Sequence, residues 1–100
     1  MIKIAVCGAA GKMGSAIIRI ISAEKDLKLA GAVEIDGSPA VGADAGEAAG
    51  IPKTGITVTD SLGKVIGNCD VVIDFTSPES TVANAVIAAK SGKSLVIGTT

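Results

Sequence analysis

IKIAVC, at residues 2–7, runs directly into GAAGKMG at residues 8–14. The first segment is short and mostly apolar and β-branched, which is typical of a buried parallel strand. The second is a glycine-rich turn, and from Lys12 to about Glu24 the apolar residues recur at helical spacing. A strand, a glycine-rich turn and a helix in this order predict the start of a Rossmann-like β-α-β unit.

The helix is predicted to place Met13, Ile17, Ile20 and Ile21 on its apolar face, with Ile18 outside the pattern. The remaining predicted elements are a strand at 28–33, a weak strand at 56–58, a short helix from Ser61 to Gly67, a strand at 70–75, a helix capped by Ser77 that runs to about Ser91, and a strand at 94–97. Strands that alternate with helices predict an α/β fold, a Rossmann-like doubly wound parallel sheet, in one domain over residues 1–100.

A long connection at residues 36–55 interrupts this alternation and contains five glycines with little periodicity. Most connections in compact domains have about 4 to 6 residues, and longer ones are usually functional or mobile.

Composition excludes several classes of function. The 9 basic and 10 acidic residues give a net charge of −1, so the chain lacks the basic surface that nucleic acids or anionic membranes require. There is no His, and Cys7 and Cys69 are far apart in sequence, so neither a metal site nor a Cys-His nucleophile is predicted. No signal sequence or membrane span is evident, and we expect a cytoplasmic protein.

The glycine-rich turn has the chemistry of a pyrophosphate site. Small residues let a phosphate approach the backbone, and the amides of the following helix N-terminus favour its negative charge. The pattern is G-x-x-G-x-x-G, since Ala10 stands where the usual motif has Gly. The alternative is that these glycines only form a tight turn and allow close packing.

Glu34 strengthens the first interpretation. It lies 20 residues after Gly14, at the end of the second strand, where an acid can accept hydrogen bonds from ribose hydroxyls. A phosphate loop of the nucleotidase type is disfavoured, because Gly92-Lys93-Ser94 precedes a strand and Ile87 stands where that motif needs Gly.

Three other residues have two interpretations each. Lys12 is either a solvated side chain or a cation beside the phosphates. Asp74 either caps the turn at Thr76 and Ser77 or lies near a cofactor. Phe75, the single aromatic residue, packs either on a nucleotide ring or on the core.

Four motifs resemble the amino-terminal domain of the dihydrodipicolinate reductase family, enzymes of lysine biosynthesis. They are VCGAAGKMG at 6–14, GADAG at 42–46, DVVIDFTSPE at 70–79 and VIGTT at 96–100. Their order and spacing cover essentially the whole chain. The resemblance implies an NAD(P)H-dependent reductase that transfers hydride to a cyclic imine dicarboxylate, converting 4-hydroxy-tetrahydrodipicolinate to tetrahydrodipicolinate.

The resemblance implies that residues 8–13 hold the pyrophosphate, that Glu34 holds the adenosine ribose, and that residues 98–100 meet the nicotinamide. With the rest of the glycine-rich turn and Phe75 included, the predicted cofactor-binding residues are Gly8, Ala9, Ala10, Gly11, Lys12, Met13, Gly14, Glu34, Phe75, Gly98, Thr99 and Thr100. In a parallel sheet Gly8, Glu34, Asp74 and residues 98–100 should share the carboxyl edge of the strands.

Two departures from the family limit the resemblance. Many members have Arg after the acid, where this chain has Ile35 and Asp36, so we expect NADH to bind at least as well as NADPH. The family's acid motif and substrate lysine belong to a carboxyl-terminal substrate and oligomerisation domain that this sequence lacks. We therefore expect cofactor binding without turnover and no catalytic residue in this fragment. The whole enzyme is expected to be a homotetramer, and the fragment monomeric or weakly associated.

Two other functions are compatible with the same residues. One is the cofactor domain of another amino-acid or sugar dehydrogenase, and the other is a stand-alone dinucleotide-sensing module. In each case the partner is a small molecule.

Overall fold

The computed structural model of the chain describes residues 1–98. Its elements, in chain order, are β1 (Ile2–Cys7), α1 (Lys12–Ala23), β2 (Leu27–Val33), α2 (Ala45–Ala48), β3 (Val58–Thr59), two 3₁₀ turns (Leu62–Lys64 and Ile66–Asn68), β4 (Val71–Asp74), α3 (Pro78–Lys90) and β5 (Ser94–Ile97). Within the described residues, none of the helices has the length and apolar character needed to cross a bilayer.

The five strands form one parallel sheet in the order β3-β2-β1-β4-β5. The chain moves outward from β1 to β3 and then returns to the other side of β1 to form β4 and β5. This reversal confirms the predicted doubly wound fold and opens a crevice between β1 and β4 at the carboxyl ends of the strands, where ligands bind in such sheets.

Both faces of the central strand β1 are covered. Neighbouring residues of β1 point to opposite faces, so Val6 packs with α1 and α2, whereas Cys7 packs with the 3₁₀ turns and α3. Both side chains are fully buried. The central strand therefore has no solvated face, which explains its short apolar sequence.

The buried face of α1 differs from the prediction. Met13 and Ile20 are 53% and 55% exposed, whereas Ile18, expected outside the apolar face, is fully buried. The helix meets the sheet through Gly14, Ile18 and Ile21, a spacing of i, i+4 and i+7. The sequence pattern misled because Gly14, which brings the helix backbone onto the sheet, does not count as apolar.

Helix α3 begins and ends as predicted. Ser77 caps it, since its Oγ accepts a hydrogen bond from the Ser80 amide at 3.3 Å, and Pro78 occupies the first helical position. Gly92 follows the C-cap with a φ of +68°, a conformation that glycine adopts readily.

The middle of the chain was predicted less well. The weak strand forms at Val58–Thr59, and the 36–55 connection contains the short helix α2, which was not predicted. The helix expected after Ser61 is two 3₁₀ turns, and the Ser61 side chain makes no capping hydrogen bond. Gly63 and Gly67 weaken a continuous α-helix here.

Candidate functional site

The strand register aligns the predicted site residues. Cys7 pairs with Val33 on one side and with Asp74 on the other, and the row continues outward to Thr59 and Ile97. The next residue of each strand therefore stands at the same level of the carboxyl edge. These five residues are Asp60, Glu34, Gly8, Phe75 and Gly98.

The glycine-rich turn is folded tightly against the end of β2. The Gly8 and Ala9 amides both donate to the Val33 carbonyl, at 2.9 and 3.1 Å, and the Gly11 amide donates back to Gly8 at 3.0 Å. A Cβ on Gly14 would lie 1.9 Å from the Gly8 carbonyl oxygen, so no larger residue fits there. The turn therefore holds the start of α1 directly against the strand end.

The N-terminus of α1 is open. Its N-cap is Gly11, which has no side chain to accept hydrogen bonds from the amides of the first turn. Lys12 and Met13 begin the helix and are exposed. Such a terminus presents free N–H donors and a partial positive charge, the combination that binds phosphate groups.

Glu34 reaches the glycine-rich turn from β2. Its Oε2 accepts a hydrogen bond from the Ala10 amide at 2.8 Å, and its Oε1 accepts one from the Ile35 amide at 3.1 Å. A carboxylate has about four acceptor positions, so two hydrogen bonds leave capacity for a ligand. Glu34 thus joins the end of β2 to the turn and still offers acceptors.

A cavity of about 320 Å³ opens beside Glu34, and we call it the Glu34 cavity. It combines apolar side chains with three carboxylates, and none of the residues that line it within the described part of the chain is basic. Its lining consists of Cys7, Val33, Glu34, Ile35, Asp36, Asp60, Ser61, Leu62, Thr76, Ser80, Asn84 and Ile87. Asp60 is paired with Lys64 at 3.2 Å, outside the lining.

A second cavity of about 310 Å³, which we call the Lys12 cavity, lies on the other side of the turn. Its lining consists of Gly11, Lys12, Met13, Gly14, Phe75, Thr76 and Gly98. Thr76 lines both cavities, which lie side by side at the carboxyl edge, and we refer to the two together as the groove. The Phe75 ring lies against Gly98, where a Cβ would come within 2.0 Å of the ring. Phe75 is therefore half-buried at the wall of this cavity.

Asp74 is fully buried at the end of β4. Its Oδ1 accepts hydrogen bonds from the Thr76 amide at 2.8 Å and the Thr76 hydroxyl at 2.5 Å, and its Oδ2 accepts one from Asn84 Nδ2 at 3.3 Å. The predicted cap at Thr76 is confirmed, and the bond to α3 is an addition. Burial, and next the charge of Asp74, raise the pKa of the Cys7 thiol to about 12, so this thiol stays protonated and inert.

The groove contains residues that the sequence did not single out. Asp60, Thr76 and Asn84 come from three separate elements, and only the folded sheet brings them together. Asp60 had a local signal, because it directly follows a strand. The predicted residues Thr99 and Thr100 lie outside the residues that the structure describes.

A sequence model of a known family matches nearly the whole chain. This family, described as "Dihydrodipicolinate reductase, N-terminus", matches residues 2–100. The chain belongs to this family. The resemblance inferred from the four sequence motifs is thereby confirmed.

Curated members of the dihydrodipicolinate reductase family are close in sequence. The chain is 47% identical over 100 residues to the 4-hydroxy-tetrahydrodipicolinate reductase of Citrifermentans bemidjiense, and 50% identical over 100 residues to that of Anaeromyxobacter dehalogenans. These matches cover 100% of this chain but only 38% and 37% of the two relatives. The chain therefore spans a little over a third of the length of these reductases.

Solved structures share the fold. A dipicolinate-bound dihydrodipicolinate reductase from Paenisporosarcina sp. TG-14 matches with a TM-score of 0.75 and 25% identity, covering 100% of this chain and 38% of that one. An amine dehydrogenase from Mycobacterium smegmatis matches with a TM-score of 0.82 and 24% identity, covering 96% of this chain and 29% of that one. The second similarity shows a shared fold alone.

Proposed function

We propose that residues 1–100 form the NAD(P)H-binding domain of a reductase that converts 4-hydroxy-tetrahydrodipicolinate to tetrahydrodipicolinate in lysine and diaminopimelate biosynthesis. The family match and the names of the curated relatives support this activity. The observation that carries the binding role is the alignment of Gly8, Glu34 and Gly98 at one edge of the sheet.

The residues of the groove fit a dinucleotide. The open N-terminus of α1 and the close contact at Gly14 suit a pyrophosphate, and Lys12 adds a positive charge beside it. The remaining acceptor capacity of Glu34 suits the hydroxyls of the adenosine ribose. When bound, the reduced nicotinamide supplies a hydride.

The other end of the groove would hold the nicotinamide. Phe75 and Gly98 form its wall, and the close contact between them keeps the Phe75 ring in place beside the turn. We also propose Thr99 and Thr100 as nicotinamide-binding residues. Hydride transfer requires substrate-binding groups, which we assign to the part of the relatives that this chain does not span. We therefore expect the chain to bind cofactor without turnover.

We further propose that NADH binds at least as well as NADPH. Glu34, Asp36 and Asp60 all line the Glu34 cavity, and no Lys or Arg lines it. The 2′-phosphate of NADPH would add negative charge next to these carboxylates, and the cavity offers no cation to balance it. Calorimetric titration with both cofactors checks this, and a clear preference for NADPH would contradict it.

A cytoplasmic location and a small-molecule substrate belong to the same proposal. Cys7 and Cys69 are free and buried, as expected in a reducing compartment. We expect the chain to be monomeric or weakly associated, and the full-length reductase to be a homotetramer. Sedimentation that shows a tight tetramer of the chain alone would contradict this expectation.

The binding role is tested with two matched variants. Glu34→Gln keeps the shape of the side chain but removes its charge, and we expect NADH affinity to fall by about tenfold or more, as for the loss of a charged hydrogen bond. Glu24→Gln is the control, because Glu24 follows the far end of α1 from the groove. Equal NADH affinity in both variants, with both folded by circular dichroism, would exclude the proposed role of Glu34.

A further inference from the structure

The buried carboxylate of Asp74 controls which hydrogen-bonding atoms the groove presents. A carboxylate can only accept hydrogen bonds, so each group that contacts Asp74 must turn a donor toward it. Thr76 uses its single hydroxyl proton for this contact at 2.5 Å, and Asn84 uses its NH₂ group at 3.3 Å. Two other groups lie near the Thr76 hydroxyl. They are the Ser77 carbonyl and the Thr81 hydroxyl, and both are 3.4 Å from Thr76 Oγ1. The charged acceptor at the shortest distance takes the proton.

The acceptor atoms of Thr76 and Asn84 are therefore left for contacts with a ligand in the groove. The hydroxyl oxygen of Thr76 keeps lone pairs where the two cavities meet. Asn84 lines the Glu34 cavity and donates one Nδ2 hydrogen to Asp74, so its carbonyl oxygen is not used in that bond and can accept from a ligand. With Asp74 fully buried, water cannot compete for these bonds, and the orientation of both side chains is fixed.

We propose that Asp74 is a positioning residue that makes this wall of the Glu34 cavity an acceptor surface, and that Asn84 selects adenine through its 6-amino group. The inference rests on the proposed function. Ile35, Leu62 and Ile87 supply apolar contact for the faces of a base in the same cavity. A base with a carbonyl at position 6 would place an acceptor against the Asn84 carbonyl oxygen, which is unfavourable.

The test compares NADH with the reduced form of nicotinamide hypoxanthine dinucleotide, which has a carbonyl oxygen at position 6 in place of the amino group. We expect the wild-type chain to bind NADH about tenfold or more tightly than the analogue, as for sites built around a ligand donor. The ratio of the two dissociation constants measures the preference of the site for a donor over an acceptor at position 6. A general loss of stability weakens both ligands equally and does not change this ratio.

Two variants test whether Asp74 and Asn84 cause the expected preference for NADH over the analogue. In Asp74→Asn the new amide both donates and accepts hydrogen bonds, so the Asn84 amide can bind it in either of two orientations. We therefore expect the ratio to fall to about twofold or less. The control is Asp70→Asn at the opposite end of β4, where the carboxylate accepts from the Lys3 amide. If Asp74→Asn does not fold, Asn84→Leu removes the acceptor directly and should give the same loss. Asn68→Leu, at an exposed site outside the groove, is its control.

The outcomes separate this inference from the proposed function. Tight NADH binding that depends on Glu34, with a wild-type ratio near one, overturns the adenine assignment and leaves the proposed function standing. A high ratio that persists in Asn84→Leu or in folded Asp74→Asn overturns the positioning role. Absence of NADH binding to the folded wild-type chain overturns both.

Discussion

Asp44 and Glu34 are two carboxylates that hold glycine-rich turns, and they differ in how completely their acceptor positions are used. Asp44 accepts hydrogen bonds from the amides of Gly46, Glu47, Thr54 and Gly55, and from the Thr54 hydroxyl. Glu34 accepts two, from the Ala10 and Ile35 amides. The first carboxylate is saturated by its own loop, and the second is not.

This difference separates a structural carboxylate from one that we propose to bind a ligand. Asp44 joins the two ends of the 42–55 segment and caps α2, so its whole capacity serves the fold. Glu34 needs only part of its capacity to hold the turn, and it stands at the carboxyl edge where ligands bind. The variants below are expected to change stability at Asp44 and binding at the groove.

The largest effect is expected for Gly14→Ala. The new methyl group would lie 1.9 Å from the Gly8 carbonyl oxygen, so either the turn or α1 must shift. We expect a loss of about 1–3 kcal/mol in unfolding free energy, typical of overpacking, and no measurable NADH binding. Gly67→Ala is the control, because a Cβ there meets open space. Normal binding by Gly14→Ala would show that the turn geometry does not define the site.

Asp44→Asn is expected to reduce stability without changing binding. The amide retains shape but loses the charge that holds five donors, so the thermal midpoint should fall further than it does in Glu34→Gln. Asp44 lines neither cavity, so we expect the dissociation constant for NADH to stay within about twofold. Thermal melts and calorimetry on the same samples check this, and the reverse pattern would refute the distinction between the two carboxylates.

Gly98→Ala is expected to weaken binding with a smaller change in stability. Its Cβ would come within 2.0 Å of the Phe75 ring, which is a side chain and can turn into the Lys12 cavity. Phe75→Leu in the same chain should relieve the contact and restore part of the NADH affinity. If Gly98→Ala alone binds NADH normally, the Lys12 cavity is not part of the site.

The smallest effect concerns acid stability. The hydrogen bonds to Asp44, that of Thr54 first, hold its pKa below the ordinary value of 3.8. A lowered folded-state pKa means that ionised Asp44 stabilises the chain above pH 3.8 and that this contribution is lost as the pH falls through the lowered value. Asp44→Asn should therefore show a flatter stability profile below pH 4 than the wild type. Parallel profiles would show that Asp44 does not contribute to acid unfolding.

Local patterns were enough to predict much of the fold and to name several of the residues that meet at the carboxyl edge of the sheet. The apolar run of β1, the turn at residues 8–14 and the cap at Ser77 each depend on a few neighbouring residues. The parallel sheet follows from the alternation of strands and helices, and the choice of Glu34 follows from its distance to the turn. The family match agrees with these local motifs.

What the sequence could not show depends on contacts between distant residues. Helix α2 has four residues, and its N-cap Asp44 also accepts hydrogen bonds from Thr54 and Gly55, ten and eleven residues later. The buried face of α1 follows from the close approach at Gly14, which hydrophobicity does not register. The orientation of the Asn84 side-chain amide is set by its hydrogen bond to Asp74, and only the folded structure shows that contact.

The residues of the groove come from the ends of paired strands. Ligand binding at the groove therefore reports whether the strands are paired in the correct register. A slip of one residue in β2 would move Glu34 by about 3.3 Å and turn it to the opposite face of the sheet. A collapsed chain with such a slip would keep its helix content and bind nothing. A ligand stabilises only the state that binds it, so under the proposed function NADH added during refolding would enrich the chains whose strands are in register.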